Sequence, residues 1–280
     1  MKTVHVDDIT REVKRMCIEA AYFLPEDVRK ALEDARENDD WQLSKEILDQ
    51  ILLNGQIART EEVAYCQDTG MVVAFVDMGQ DVHIEGGYIE DAINEGVRQG
   101  YEEGFLRKSV VSDPIERINT KDNTPAVINY KLVPGDQLKI TIAAKGFGSE
   151  NMSRLAMLKP ADGLEGVKNF ILETVELAGP NPCPPIIVGV GIGGTFDKAA
   201  GLAKRVLMRS LEDYNENPFY ADLEKEMEGK IADLGIGPQG FGGKTTALRV
   251  MIDTYPTHIA GLPVAVNIQC HAARHKEVIF

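Results

Sequence analysis

The sequence predicts a mixed α/β protein, with mixed sheets, a helical N-terminal third and irregular loops at strand ends. Three observations carry that reading. Apolar residues recur at helical spacing through the first third of the chain. Beyond it, short apolar runs bounded by Gly, Pro, Asn and Asp read as strands. Some of those runs are joined by a tight turn and others by a helix, the mixture expected of an α/β fold.

The elements follow in order. Thr10 is placed to cap a helix whose apolar face is Val13, Met16, Cys17, Ala20 and Leu24. Pro25 opens a second helix over 26–37, because its fixed φ and missing N–H suit a first helical position. A third helix, 41–58, carries Leu43, Ile47, Leu48, Ile51 and Leu52 on one face. Strands are expected at 63–65 and 71–76, and a helix at 88–105 behind Gly86-Gly87. Residues 126–132 and 137–143 alternate with period two around Pro134-Gly135-Asp136, a hairpin pattern. A helix at 166–177 and a short buried strand at 185–190 come next. Asp197 is placed to cap a helix running to 214, and 218–234 reads as a charged helix. Two strands, 247–252 and 263–268, close the pattern. No repeat, low-complexity linker or domain boundary interrupts it, so one domain over 1–280 is expected.

Composition narrows the function. A chain of 280 residues buries a substantial core. The net charge of -14 argues against a nucleic-acid partner, which needs a basic face. An anionic small molecule stays open, because a local Arg or Lys cluster overrides the global sign. No apolar run approaches the roughly 18 residues of a membrane span. The first ten residues are polar and lack a signal-peptide core, so a cytoplasmic location is expected. Four widely spaced cysteines do not suggest a secreted disulfide framework.

Two glycine-rich stretches imitate nucleotide motifs. Gly189-Val190-Gly191-Ile192-Gly193-Gly194 has the dinucleotide spacing after a strand and before a helix. The acidic residue wanted roughly 20 positions on should end a second strand, but Glu212 and Asp213 fall near a helix end. A glycine turn that lets the backbone approach a neighbour closely is the plainer reading. Gly240-Phe241-Gly242-Gly243-Lys244-Thr245 resembles a phosphate loop, yet the pattern needs Gly where Pro238 stands.

The cysteines carry the strongest signal. Cys17 lies on an apolar helix face, where a thiol is a small core residue. The other three sit in turn-like, polar or Pro-rich contexts: Cys66-Gln67-Asp68-Thr69-Gly70, Asn181-Pro182-Cys183-Pro184-Pro185, and Gln269-Cys270-His271-Ala272-Ala273-Arg274-His275. Structural zinc sites use close pairs such as C-x-x-C, and none is present. A nucleophilic Cys270 working with His258 leaves the other two contexts unexplained. Three buried, unreactive thiols remain the plain alternative. Soft thiolates without close pairing favour an iron–sulfur cluster, and a set of three leaves one iron without a protein ligand.

Taken with the rest of the chain, these segments resemble the α subunit of the two-subunit class I fumarate hydratases, the iron–sulfur fumarases. The tartrate dehydratase α subunit is a close relative. The stretches that carry the resemblance are Cys66-Gln67-Asp68-Thr69-Gly70, the run 107–114 from Arg107, the run 145–151, Cys183-Pro184-Pro185, and the runs 191–198, 234–245 and 258–275. Their order and number are specific for the family and not for the substrate.

The resemblance implies a [4Fe-4S] cluster on Cys66, Cys183 and Cys270, and a hydro-lyase that adds water reversibly to fumarate to give L-malate. L-tartrate dehydration is the alternative within the family, and an iron–sulfur redox sensor is the alternative of another class. Fused relatives are longer and add a C-terminal domain with further arginines, a lysine and a threonine thought to be the base. This sequence stops ten residues past Cys270. The resemblance therefore implies a separate β subunit, activity only with it, and self-association to an α2β2 assembly.

Trans addition of water to a C=C bond between two carboxylates needs a Lewis acid at the hydroxyl, a base at the neighbouring carbon and cationic donors for the second carboxylate. The open iron is expected to supply the first. By the resemblance, Arg107 grips a substrate carboxylate, Gln67 and Asp68 contact substrate, and His258 is an active-site histidine. Asp68 equally suits an Asx turn. Gly146 and Gly148 would let backbone N–H groups approach a substrate oxygen. His271 and His275 read as structural or as outer support for the cluster.

Overall fold

Amphipathic segments become the helices, and apolar runs the strands, of the computed structural model, which describes residues 2–280. In chain order these are β1 (Lys2–His5), α1 (Val6–Tyr22), α2 (Glu26–Asn38), α3 (Gln42–Glu61), β2 (Met71–Gly79), β3 (Val82–Glu85) and α4 (Ile89–Glu103). Then follow β4 (Val127–Val133), β5 (Leu138–Lys145), the single turn α5 (Phe147–Glu150), β6 (Arg154–Leu158), α6 (Gly163–Ala178), β7 (Ile186–Gly193) and α7 (Phe196–Val206). The chain closes with α8 (Pro218–Ala232), β8 (Ala247–Tyr255), β9 (Leu262–Gln269) and β10 (His275–Ile279). The fold is mixed α/β with a helical N-terminal region, as expected.

Contacts divide the chain into two compact units. One comprises Met1–Pro25, Asn54–Phe147 and Arg274–Phe280, the other Glu26–Leu53 and Gly148–Ala273. The units interleave in sequence, so no linker-like composition marks a boundary.

In the first unit a four-stranded sheet runs β10-β5-β2-β4, beside a two-stranded β1-β3 pair. Val72, Ala74 and Val76 of β2 and Leu138, Ile140 and Ile142 of β5 share one core with Ile9, Val13, Met16 and Cys17 of α1 and Ile93, Val97 and Tyr101 of α4. The two helices approach closely because α4 has glycines at the contact. A Cβ on Gly96 would lie 2.7 Å from Val13 Cβ, and one on Gly100 2.7 Å from Cys17 Cβ.

Three expectations are corrected here. The hairpin over 126–143 does not form: β2 lies between its two strands, antiparallel to β5 and parallel to β4. The cause is burial. Residues 72–76 form an unbroken buried run that needs a strand on each side, whereas β4 exposes Val127, Tyr130 and Leu132 and suits a sheet edge. The first helix starts at Val6, not after Thr10. His5 caps it, its Nδ1 accepting from Asp7 N at 3.2 Å, while the Thr10 hydroxyl donates across to Ala92 O at 3.0 Å. Residues 63–65 form no strand, because Tyr65 N–H goes to Ala21 O (2.9 Å) and its carbonyl accepts Asn54 Nδ2 (2.9 Å).

In the second unit the sheet runs β6-β9-β7-β8. Val188, Val190, Val250, Ile252, Val264, Val266 and Ile268 pack with Phe170, Ile171 and Val175 of α6 and Leu223, Met227 and Ile231 of α8. Helix α7 covers β7 so closely that a Cβ on Gly189 would overlap Ala203 O, and one on Gly191 would overlap Ala199 O. The dinucleotide-like glycines thus serve helix-on-strand packing. Thr195, not Asp197, is the N-cap of α7. The helix ends at Val206 rather than 214, because Asp27 of α2 takes Leu211 N–H (2.9 Å) and the Ser210 hydroxyl (3.2 Å) out of the helical pattern. The phosphate-loop look-alike is pinned by a buried carboxylate: Asp39 accepts Trp41 N at 2.9 Å, Ser44 Oγ at 2.7 Å and Lys244 N at 3.0 Å. The Lys244 ammonium is paired with Asp40.

Candidate functional site

The candidate residues of the first unit gather on two irregular segments, 66–70 and 107–110. Cys66 is half-buried, Gln67 exposed and Asp68 half-buried. Asp68 Oδ1 accepts Gly70 N at 3.0 Å, and Oδ2 accepts Phe147 N at 2.8 Å. The Asx turn that the sequence allowed is therefore present, and a second lone pair ties the turn to the end of β5. The Asp68 carbonyl accepts Arg274 Nη1. Arg274 is only 4% exposed, and its buried Nε has no acceptor among the described residues.

Buried polar side chains hold the two segments together. Thr69 Oγ1 donates to Arg107 O at 2.8 Å. The Tyr101 hydroxyl donates to Thr69 O at 2.7 Å. Asn123, fully buried with φ 62°, donates to Gly70 O at 3.1 Å and accepts Ser109 N at 2.7 Å. This network fixes the backbone at Arg107 and leaves its side chain exposed, with no ion pair among the described residues.

In the second unit Cys183 is exposed and holds φ 57°, a left-handed conformation rare outside glycine. Such a residue persists only where its surroundings fix it. Cys183 N donates to Pro180 O at 3.1 Å, and Gln239 donates to Pro184 O from both its amide N (2.8 Å) and Nε2 (2.8 Å). His271 Nδ1 lies 2.9 Å from the Cys183 carbonyl. Cys270 directly follows β9, half-buried, with Gln269 Nε2 3.8 Å from its sulfur. Ile187 of β7 pairs with Gln269 of β9, so the Cys183 and Cys270 motifs lie at the same end of the sheet. Gly148 is exposed, and a Cβ there would meet only Asn181 O at 3.7 Å. The steric demand for glycine falls instead on Gly146, where a Cβ would stand 3.0 Å from Arg274 Nη2 and 3.2 Å from Asp68 Oδ2.

His258 is not brought to Cys183 or Cys270. It lies exposed in the loop between β8 and β9, its Nδ1 accepting Ala260 N at 3.2 Å. The eight residues of β9, about 26 Å at the usual rise, separate that loop from Cys270. Cys17 is sealed in the α1–α4 core, and burial pushes its thiol up to about 12. Sequence reasoning missed Arg274, Tyr101, Asn123 and Gln239 as supports. Only Arg274, inside the Cys270 motif, carried a local signal.

Comparison with known proteins defines the class. Residues 10–279 match the family described as fumarate hydratase (Fumerase), and the chain belongs to that family of hydro-lyases. Among its relatives, a Methanocaldococcus jannaschii protein provisionally named L(+)-tartrate dehydratase subunit alpha is 46% identical over 275 residues, covering 96% of this chain and 95% of its own. The L(+)-tartrate dehydratase subunit alpha of Escherichia coli UTI89 is 30% identical over 273 residues, 96% of this chain and 89% of its own. The protein of the same name from Shigella sonnei is 29% identical over the same shares. No helix among the described residues is long and apolar enough to cross a membrane.

Proposed function

We propose that this chain is the cluster-bearing α subunit of a [4Fe-4S] hydro-lyase that hydrates fumarate reversibly to L-malate. The observation that carries the reading is the contrast among the four cysteines. The Cys66 turn is held by Arg274 and the Cys183 turn by Gln239 and by His271, the residue after Cys270, while Cys17 is a core thiol held protonated by burial. Among the described residues no three His, Cys, Asp or Glu side chains gather around a single ion. Three soft sulfur donors suit an iron–sulfur cluster.

When bound, the cluster supplies an iron without a protein ligand, a Lewis acid for the substrate hydroxyl and its adjacent carboxylate. Arg107 binds the second carboxylate through a planar fork of donors. Gln67 orients the substrate with its exposed amide. Two of the roughly four lone-pair sites of Asp68 are occupied by Gly70 and Phe147, and the rest accept a proton donor from the substrate. Gly148 offers a first-turn N–H of α5 to a carboxylate oxygen. His258, with Nδ1 accepting, carries its proton on Nε2. In this reading it is an active-site histidine. The base that takes the carbon-bound proton belongs to a β subunit.

The relatives are named as subunits alpha, which supports that partner; self-association to an α2β2 assembly and a cytoplasmic location belong to the same proposal. Their names also favour a second reading, L-tartrate dehydration. The two substrates differ by one hydroxyl, which a pocket distinguishes strongly only with a buried polar partner for it. The test is anaerobic assay of the chain with its β subunit against fumarate, L-malate and L-tartrate. The expected preference is for fumarate and malate. A kcat/KM for tartrate above malate by more than about tenfold, ~1.4 kcal/mol, transfers the assignment to the second reading. No turnover, with a cluster spectrum indifferent to dicarboxylates, would leave the redox-sensor reading standing.

A further inference from the structure

Arg274 does not touch substrate in the chemistry above, but it is almost wholly buried and its side chain reaches the turn after Cys66. A guanidinium keeps its charge at any working pH, and burying a charge is offset only by close partners. Here Nη1 donates to the Asp68 carbonyl. Nη2 and Asp68 Oδ2 lie 3.0 and 3.2 Å from the same point, the place a Gly146 Cβ would occupy. The cation and the carboxylate thus crowd one glycine from two sides. The Nε–H is buried without an acceptor among the described residues.

We propose that Arg274 is a positioning residue of the candidate site, acting through Asp68 and not on substrate. It clamps the Asp68 carbonyl while Phe147 N–H holds the Asp68 carboxylate, and together they set the orientation of Gln67 and Asp68 in the turn after Cys66. The clamp has a rigid base, because Ala144 N donates to Arg274 O at 2.9 Å and the next residue, His275, begins the β10–β5 ladder. Gly146 is its third part, since any side chain there displaces one of the two charged groups.

The test has two arms, and only the kinetic one rests on the proposed function. In cluster-free full chain, Arg274→Gln should speed hydrogen exchange at Gly70 and Phe147 N–H, the two amides bonded to Asp68, by about tenfold or more, with β2 and β5 unchanged. Arg274→Lys should be intermediate, because one ammonium replaces the planar fork. Wild-type exchange at both amides, or an equal rise throughout the sheet, overturns the proposal. In the two-subunit enzyme, Arg274→Gln should lose about 100-fold in kcat/KM per bound cluster, the effect of a small misplacement. Wild-type kcat/KM in that variant also overturns it. If wild-type enzyme turns over no dicarboxylate, the proposed function fails and the exchange arm still decides. Should Arg274→Gln fail to fold, Gly146→Ala must show the same local loss of protection, and wild-type protection there contradicts the clamp.

Discussion

The Nδ1 of His271 lies 2.9 Å from the carbonyl oxygen of Cys183. A carbonyl only accepts, so the ring donates from Nδ1. The turn that bears one proposed ligand is therefore held by the residue next to another, Cys270. Gln239 grips the same turn through Pro184 O. Two separate segments thus fix a cysteine in a left-handed conformation.

His271→Ala should loosen that turn without unfolding the sheet. Loss of an outer support of this kind costs about 10- to 100-fold in metal affinity. Anaerobically reconstituted His271→Ala should release iron to a chelator faster than wild type, at nearly unchanged Tm. Equal retention would mean that the bond to Cys183 does nothing for the ligand.

Asn123 is the matching support in the other unit, fully buried at φ 62°. Asn123→Ala removes its bonds to Gly70 O and Ser109 N and forces a β-carbon residue to keep a left-handed backbone. We expect a loss of about 3 kcal/mol in urea unfolding. Asn123→Gly loses the same bonds but not the backbone fit, and should be about 1 kcal/mol less damaging. Equal losses would contradict the backbone part.

Much of this was legible in the sequence for physical reasons. Pro25, the apolar stripes of α1 and α3 and the runs 71–76 and 263–268 follow from local periodicity. The hairpin over 126–143 was misread because local alternation cannot report that β2, some fifty residues earlier, inserts between the two strands. β1, β3 and β10 are short and half-exposed, with little apolar signal. In the candidate site, the cysteine turns announced themselves by Pro, Gly and polar neighbours. Tyr101 and Asn123 did not, because a buried hydrogen-bonding side chain looks like any polar residue until its partners are placed. His258 was singled out by motif alone, and β9 carries it away from Cys270.

The Cys17 thiol gives a pH prediction. Its folded value, about 12, lies above the ordinary 9.0 because of burial. Above pH 9 the unfolded thiol ionises while the folded one stays protonated. Stability therefore falls as pH rises through this window, by about 1.4 kcal/mol per pH unit from this group, until the folded thiol ionises too. Cys17→Ala, although less stable at neutral pH from the lost packing, should decline less steeply above pH 9. Parallel declines would show that the thiol is not sealed.

Arg107 should behave as a binding residue on a fixed backbone. Arg107→Lys should lower kcat/KM of the two-subunit enzyme by at least about tenfold, because lysine cannot hold a carboxylate bidentately. Thermal stability should be unchanged, since the Thr69 bond goes to the Arg107 backbone. Wild-type activity in Arg107→Lys would return the side chain to the solvated surface.

The most direct measurement is the visible absorption at about 400 nm of the anaerobically reconstituted chain and its four single Cys→Ala variants. Cys17→Ala should keep the wild-type absorption per chain, and Cys66→Ala, Cys183→Ala and Cys270→Ala should each lose most of it. Full absorption in any of those three, or its loss in Cys17→Ala, would contradict a cluster held by Cys66, Cys183 and Cys270.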